Sequence, residues 1–448
     1  MPSASQASLP SVLRLRGTSA GGAAALARLT GAWPGRVALA GAVVASSMLA
    51  AGASSRRLLF FVPASLSGFP EWMRGPLSEL DLALTPQSGS LLVLVLCGCY
   101  ALALVNARNL GLRWVLGAIG CAHVAFMLAA PLYSADIFGY VDYARLAVLH
   151  GIDPYAHGAA AAPHDEVHRY VRWRDVGSPY GPLFTIASYP LAWLDVPTAF
   201  WALKAGACAA SLGCVALVAR IARQLGRPVV PAVLFVGLNP LLLAYGVGGG
   251  HNDFFAVLVM LAGVTLALGA RDGRAGATFV LAAGLKAPAG LALPFLLVAH
   301  RSRRGLGAAA AAAAGIAALA LLTFGSGALG VVRQIAHQQS LVASLSVPSL
   351  VADALGLDGV TPAVRTVDGL IAAAGLALLL WRTWRGMDWL RATGWATLLL
   401  LTTSAWLVPW YVVWLLPFAA VAGDARLRNA TLAFTAFLVL TRVSPYLV

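Results

Sequence analysis

Ser134-Ala135-Asp136 puts a carboxylate at the point where an apolar run gives way to polar sequence. So placed, it can act as general base for a hydroxyl. If a helix continues from it, Tyr140 and Tyr143 share its face at i+4 and i+7, while Arg145 at i+9 points the other way. Aromatic neighbours at that spacing suit a sugar or a lipid headgroup. Asp136 can also be read as a helix-start cap, and Asp142 with Arg145, at i,i+3, as a structural ion pair.

Residues 131–184 form a polar, aromatic and charged island that holds six of the 17 acids of the 448-residue chain, which concentrates the candidate chemistry there. Within it, Gly151-Ile152-Asp153-Pro154-Tyr155 and Ser178-Pro179-Tyr180-Gly181-Pro182 read as rigid turns with Tyr155 and Tyr180 free to stack on a ligand, or as turns alone. His157, His164 and His168 with Asp165 and Glu166 offer metal-ligand types without the helical pairing of a metal motif, and a solvated loop is the competing reading. Further on, the glycines of 246–250 free backbone N–H groups just before His251-Asn252-Asp253 and an apolar helix. That arrangement attracts anions, and is compatible with simple capping by Asn252 or Asp253. Lys286, one of two lysines, lies inside an apolar run, where a charge costs a few kcal/mol and implies a function. The other, Lys204, lies nearer an interface and can snorkel. Trp410 and Tyr411 beside Pro409 are either ligand-stacking rings or part of an aromatic belt.

The elements that must hold these residues are membrane helices. The chain is 60% hydrophobic and 11% charged, with a mean hydropathy of +0.80, more oil than a soluble core can contain. The expected fold is an all-α polytopic bundle of roughly eleven to thirteen helices. Its spans fall near 37–53, 89–107, 114–131, 198–219, 229–246, 253–270, 306–324, 366–384, 393–409, 411–423 and 429–441, with 183–194 too short to cross. The net charge of +14 is spread as arginine clusters at the ends of apolar runs, which reports topology by the positive-inside rule and argues against nucleic acid. Arg271 and Arg274 precede the segment 276–300 and Arg301, Arg303 and Arg304 follow it, so that segment should enter the bilayer and return, turning near Lys286-Ala287-Pro288. Residues 1–36 read as a disordered cytoplasmic tail ahead of a domain over 37–448. With that tail inside, crossings put 132–182, 247–252, the tip at 286–288, 325–365 and the Pro409-Trp410-Tyr411 corner on the external face of a plasma membrane. The five cysteines all fall in apolar runs and read as small core residues.

In their order, Ser134-Ala135-Asp136-Ile137-Phe138 with Tyr140, Gly151-Ile152-Asp153-Pro154-Tyr155, Tyr180-Gly181-Pro182-Leu183, Asn239-Pro240, Gly250-His251-Asn252-Asp253, Lys286 and Pro409-Trp410-Tyr411-Val412-Val413-Trp414 span most of the chain. The set resembles the GT-C membrane glycosyltransferases, in particular the actinobacterial polyprenol-phosphate-mannose-dependent α-1,6-mannosyltransferases. The resemblance implies a many-helix bundle with an external catalytic loop, whose acid activates the acceptor, a polyprenyl-phosphate-linked sugar donor, a cell-envelope glycan or glycolipid acceptor, and inversion at the anomeric centre. A lipid donor is also physically apt, because an external site among helices can take a prenyl chain from the bilayer and needs a cation at the departing phosphate. On this reading Asp136 is the base, and Lys286, Arg145 and Arg333 are candidates for the phosphate. Tyr140, Tyr143, Asp153, Tyr155, Tyr180, His251, Asn252, Asp253, Trp410 and Tyr411 are candidates for sugar or acceptor. No cofactor is identified with certainty, and a divalent cation, Mg or Mn, near Asp136 stays open. The competing class is a polytopic transporter or flippase for a lipid-linked or anionic substrate, which should show repeat symmetry and midplane sites. A lipid-modifying phosphotransferase is a third.

Overall fold

The computed structural model describes residues 31–56 and 70–446, so most of the expected tail lies outside the described residues. Every regular element among the described residues is helical, as lipid demands of a backbone that must satisfy its own hydrogen bonds. In chain order the main helices are α1 (Ala32–Ser54), α2 (Pro86–Val105), α3 (Leu112–Met127), α4 (Asp136–Leu149), α5 (Pro182–Ser188) and α6 (Val196–Gln224). They continue with α7 (Val229–Gly237), α8 (Asp253–Leu268), α9 (Asp272–Leu285), α10 (Ala292–His300), α11 (Arg303–Phe324) and α12 (Gly330–Ser340). The last are α13 (Val347–Ala354), α14 (Pro362–Trp384), α15 (Trp389–Thr403), α16 (Leu416–Val421) and α17 (Ala425–Val443).

Five of these stretches are long and apolar enough to cross a membrane by themselves: α1, α2, α6, the α11–α12 rod and α14. The expected eleven to thirteen crossings are thus not uninterrupted spans, since the rest of the apolar sequence folds as shorter helices. Helix α1 packs on α2 and α3, α6 on α7 and α8, and α9 on both α8 and α11. Helix α14 exposes Leu370, Ile371 and Leu378, an outward apolar surface of the kind a spanning helix turns to lipid.

Three interruptions build the site. The run 229–246, expected as one helix, breaks after Gly237. Pro240 has no N–H to continue the ladder, and Asn239 Oδ1 instead accepts from the N–H groups of Leu241 and Leu242, which starts the π-turns of Leu242–Val247. The segment 276–300 does fold back on itself as a hairpin. Helix α9 ends at Leu285, the chain turns through 286–290, and α10 runs back until His300 Nδ1 lies 2.8 Å from Asp272 Oδ1 at the start of α9. The run 411–423, expected as a span, is a 3-10 turn over Pro409–Trp414 followed by the short α16.

The polar island has a core of its own. Helix α4 buries Phe138 against Phe200 of α6, with ring centroids 5.5 Å apart, and against Tyr170, at 5.1 Å. Segment 183–194 is short, as expected, with α5 and a 3-10 turn over Tyr189–Trp193. Lys204 does not snorkel. It is fully buried in α6, and its ammonium donates to the carbonyls of Phe126, Ala129, Ala130 and Gly248, tying the end of α3 to the glycine loop. A cation at a helix C-terminus satisfies carbonyls that the helix leaves free.

Candidate functional site

Asp136 is the first residue of α4, whose N-cap is Ala135 with no side-chain cap bond; the Asp136 N–H donates to Ser134 Oγ at 3.1 Å, and the carboxylate does not cap the helix. That carboxylate is about a quarter exposed and lines a cavity of about 470 Å³, within the range of small-molecule sites. Burial pushes it up to about 6, aided by Asp253 and opposed by Lys286 and Arg172. A base poised there is ionised at neutral pH and still basic enough to take a hydroxyl proton in a transition state.

Opposite Asp136 stand the glycine loop and the tip of the α9–α10 hairpin. Gly250 has φ +69°, a left-handed turn that a side chain would strain, and it delivers His251, Asn252 and Asp253, each almost fully buried, in succession. Asp253 Oδ2 accepts from Lys286 Nζ at 2.7 Å and its Oδ1 from Trp414 Nε1 at 2.7 Å. Asn252 Oδ1 accepts from Lys286 Nζ at 3.2 Å and from the Tyr140 hydroxyl at 3.4 Å. The ammonium sits among the rings of Tyr180, Tyr411 and Trp414, 5.5–5.7 Å from their centroids. The hairpin tip is pinned by the 178–182 turn. Gly181 N donates to Leu285 O at 3.1 Å, and a Cβ on Gly181 would lie 2.1 Å from Gly284 O.

His251 stacks on Trp410 with centroids 3.9 Å apart, and its Nδ1 lies 3.7 Å from Asp136 Oδ2, too far for a hydrogen bond. Burial and Lys286 hold the imidazole well below its usual range, so it is neutral and makes no ion pair with Asp136. Among the described residues neither ring nitrogen has a hydrogen-bond partner. Each buried nitrogen is therefore an unmet hydrogen-bonding group directly behind the cavity wall.

The fold therefore brings together Asp136, Tyr143, Tyr180, Lys286, Trp410 and Tyr411 as cavity lining, with Tyr140, His251, Asn252 and Asp253 directly behind. Other candidates lie elsewhere. Asp153 Oδ1 accepts from Tyr155 N, a turn contact, and the buried Tyr155 hydroxyl bonds Tyr180 O and Thr185, supporting the wall from outside. Arg145 pairs at 2.8 Å with Asp165, not with Asp142, and Asp165 also receives His150. Asp142 is buried with Oδ2 unpartnered, and burial pushes its carboxyl up to about 7. Arg333 is exposed on α12, whose Ile335, Gln338 and Gln339 face the cavity instead. Sequence reasoning did not single out Arg172, Trp406 and Arg442 for the site, and it quoted Trp414 without a role. The i+4 spacing of Trp410 and Trp414 was the available signal.

A cation at Asp136 would need further ligands. Asp253 is committed to Lys286 and Trp414, and among the described residues no three His, Cys, Asp or Glu converge, so a cation at Asp136 would take its remaining ligands from substrate, as Mg²⁺ does from phosphates.

The family model described as "Alpha-(1->6)-mannopyranosyltransferase, N-terminal domain" matches residues 34–302, and the MptB C-terminal domain matches residues 339–445. The chain is 29% identical to Alpha-(1->6)-mannopyranosyltransferase A of Mycobacterium tuberculosis over 68% of its own length and 65% of that protein. It is 27% identical to the protein of the same name from Corynebacterium glutamicum, over 62% of the chain and 64% of the relative. Alpha-(1->6)-mannopyranosyltransferase B of Corynebacterium glutamicum is 25% identical over 80% of the chain and 70% of the relative. The matches thus span just under two thirds of the length of the A-type relatives. No solved structure matches the chain.

Proposed function

Because the chain belongs to the alpha-(1->6)-mannopyranosyltransferase family, we propose that it is a multi-pass membrane mannosyltransferase. It takes mannose from a polyprenyl-phosphate-linked donor and passes it to a cell-envelope glycan or glycolipid on the external face of the plasma membrane. Asp136 accepts the proton of the acceptor hydroxyl as that oxygen bonds to the anomeric carbon. The bond from that carbon to the phosphate oxygen breaks, its electron pair leaves with the phosphate, and the anomeric centre inverts. The carrying observation is the ionisable carboxylate of Asp136 in a cavity walled by tyrosine and tryptophan rings that also holds Lys286. Rings stacked against a wet cavity suit the apolar faces of a hexose. Behind that wall the neutral imidazole of His251 and Asn252 Nδ2, both unpartnered among the described residues, are the groups available to bond its hydroxyls, while the Tyr140 hydroxyl is committed to Asn252.

Lys286 remains a candidate for the donor, but Asp253 matches its charge, so a dianionic or monoanionic phosphate gains little net attraction from it. Its nearer effect is to hold Asp136 ionised at neutral pH. The reading is tested by mass spectrometry of envelope glycans and lipid-linked sugars from a deletion strain. Loss of α-1,6-linked mannose with accumulation of the lipid-linked donor is expected. An unchanged glycan profile, with no change in the lipid-linked pool, would count against it.

A further inference from the structure

A second cavity, of about 260 Å³, lies between α2 and α17, lined by Ser90 and Val93 on one side and Arg442 and Val443 on the other. It shares Tyr133, Pro409, Trp410 and Arg442 with the cavity of Asp136, so the two are neighbours across one wall. Tyr133 stands in that wall with φ +61°, stacked at 4.1 Å on Tyr245. A non-glycine residue in that conformation costs about 1 kcal/mol or more and is kept where the surroundings fix it.

Arg442 is the one charged side chain lining the second cavity. An arginine near a helix end often turns outward to water, but this one turns inward. Its Nη2 donates to Leu407 O at 3.3 Å and its Nη1 to Thr441 Oγ1 at 2.8 Å, both neutral acceptors. Among the described residues no carboxylate pairs with it, whereas Lys286 is matched by Asp253 and Arg145 by Asp165. A guanidinium has five N–H donors in a planar fork, and those two bonds leave donors for a tetrahedral anion. The rest of the lining is apolar or aromatic apart from Ser90. The helices that wall the groove carry exposed Leu91, Val95 and Leu440 toward the bilayer.

We propose that Arg442 holds the phosphate of a prenyl-phosphate lipid whose first isoprene units lie in the α2–α17 groove, with the attached sugar reaching past Trp410 toward Asp136. The proposal rests on the reading that the donor is lipid-linked, and it moves the phosphate from Lys286 to a cation without a counter-ion.

Binding is measured on the purified full chain by quenching of intrinsic tryptophan fluorescence, with four probes: undecaprenyl phosphate, undecaprenol, phosphatidylglycerol and inorganic phosphate. The wild type should prefer undecaprenyl phosphate over undecaprenol and over phosphatidylglycerol by at least about tenfold, the worth of a charge-assisted hydrogen bond. Arg442→Gln should reduce undecaprenyl phosphate to the level of undecaprenol, and Arg442→Lys should restore part of the difference. Val93→Trp, which fills the groove while keeping the guanidinium, should weaken undecaprenyl phosphate and undecaprenol alike and leave inorganic phosphate unchanged. If Arg442→Gln folds poorly, Val93→Trp alone decides, and undiminished prenyl binding in it overturns the proposal. It is likewise overturned if Arg442→Gln binds undecaprenyl phosphate as tightly as wild type, or if phosphatidylglycerol competes equally. Mannose transfer is not part of the readout, so failure of the transferase reading would show separately, as intact lipid-phosphate binding by a chain that moves no sugar.

Discussion

At the scale of single residues, the account turns on how one carboxylate is kept basic without being kept protonated. Burial raises Asp136 to about 6 while Lys286 restrains the rise. The raised value puts the protonated, inactive form below that pH and the ionised base above it. The kcat/KM for transfer should therefore fall about tenfold per unit as pH drops below 6 and level off above it. A pH profile flat from 5 to 8 in the wild type would show that no group titrating near 6 carries the step. Which residues gather at the cavity was legible in part. The run Gly250-His251-Asn252-Asp253, Lys286 and the Pro409-Trp410-Tyr411 corner stand out because a membrane interior tolerates polar groups only with a purpose, and they converge at one cavity, lining it or directly behind it. Their partners were not legible. Nothing in the spacing says that Lys286 meets Asp253 across 33 positions, or that Arg145 reaches Asp165, 20 residues on, in preference to Asp142 at i−3. Long-range pairing is set by how helices pack, and local periodicity carries no record of it.

Among the elements, the decisive ones are those that stop early. The α9–α10 hairpin could be inferred because arginine clusters at both ends demand the same side of the membrane, and the His300–Asp272 contact closes it as expected. The break at Asn239-Pro240 was present in the sequence but hidden inside a run of hydropathy that reads as one span. Only the side-chain capping by Asn239 makes clear that the chain restarts there. Lys204 holds the restarted segment in place through four carbonyls drawn from the end of α3 and from Gly248. Lys204→Met keeps the stem and leaves those acceptors unserved in a dry interior, a loss of about 2–4 kcal/mol. We expect a lower thermal midpoint, and transfer impaired even below that midpoint because the His251–Asp253 run loses its anchor. A variant with wild-type midpoint and wild-type turnover would reduce Lys204 to a tolerated buried charge.

At the scale of the whole molecule, five helices among the described residues suffice to cross a bilayer by length, while shorter ones gather the polar residues of the cavity. The all-α membrane architecture was legible from composition alone, since no soluble core can bury so much oil. The exact spans were not, because apolar sequence that turns within protein and apolar sequence that crosses lipid have the same hydropathy. If the island and the α12–α13 region share the external face, single cysteines at the exposed Ala160 and Leu355, in a background without the five native cysteines, should react with an impermeant maleimide in spheroplasts. One at Arg271 should react only after lysis. Labelling of Ala160→Cys only after lysis would place the cavity on the other side and remove access to an external donor. The central claim is that this chain transfers mannose from a lipid phosphate with Asp136 as base. Its most direct test is single-turnover transfer in proteoliposomes loaded with polyprenyl-phosphate mannose and an α-mannoside acceptor, comparing wild type with Asp136→Asn at equal donor occupancy and equal thermal midpoint. We predict that the variant loses about a thousandfold or more in rate, the range expected for a general base. Turnover within about threefold of wild type, a barrier change under ~1 kcal/mol, would contradict the account.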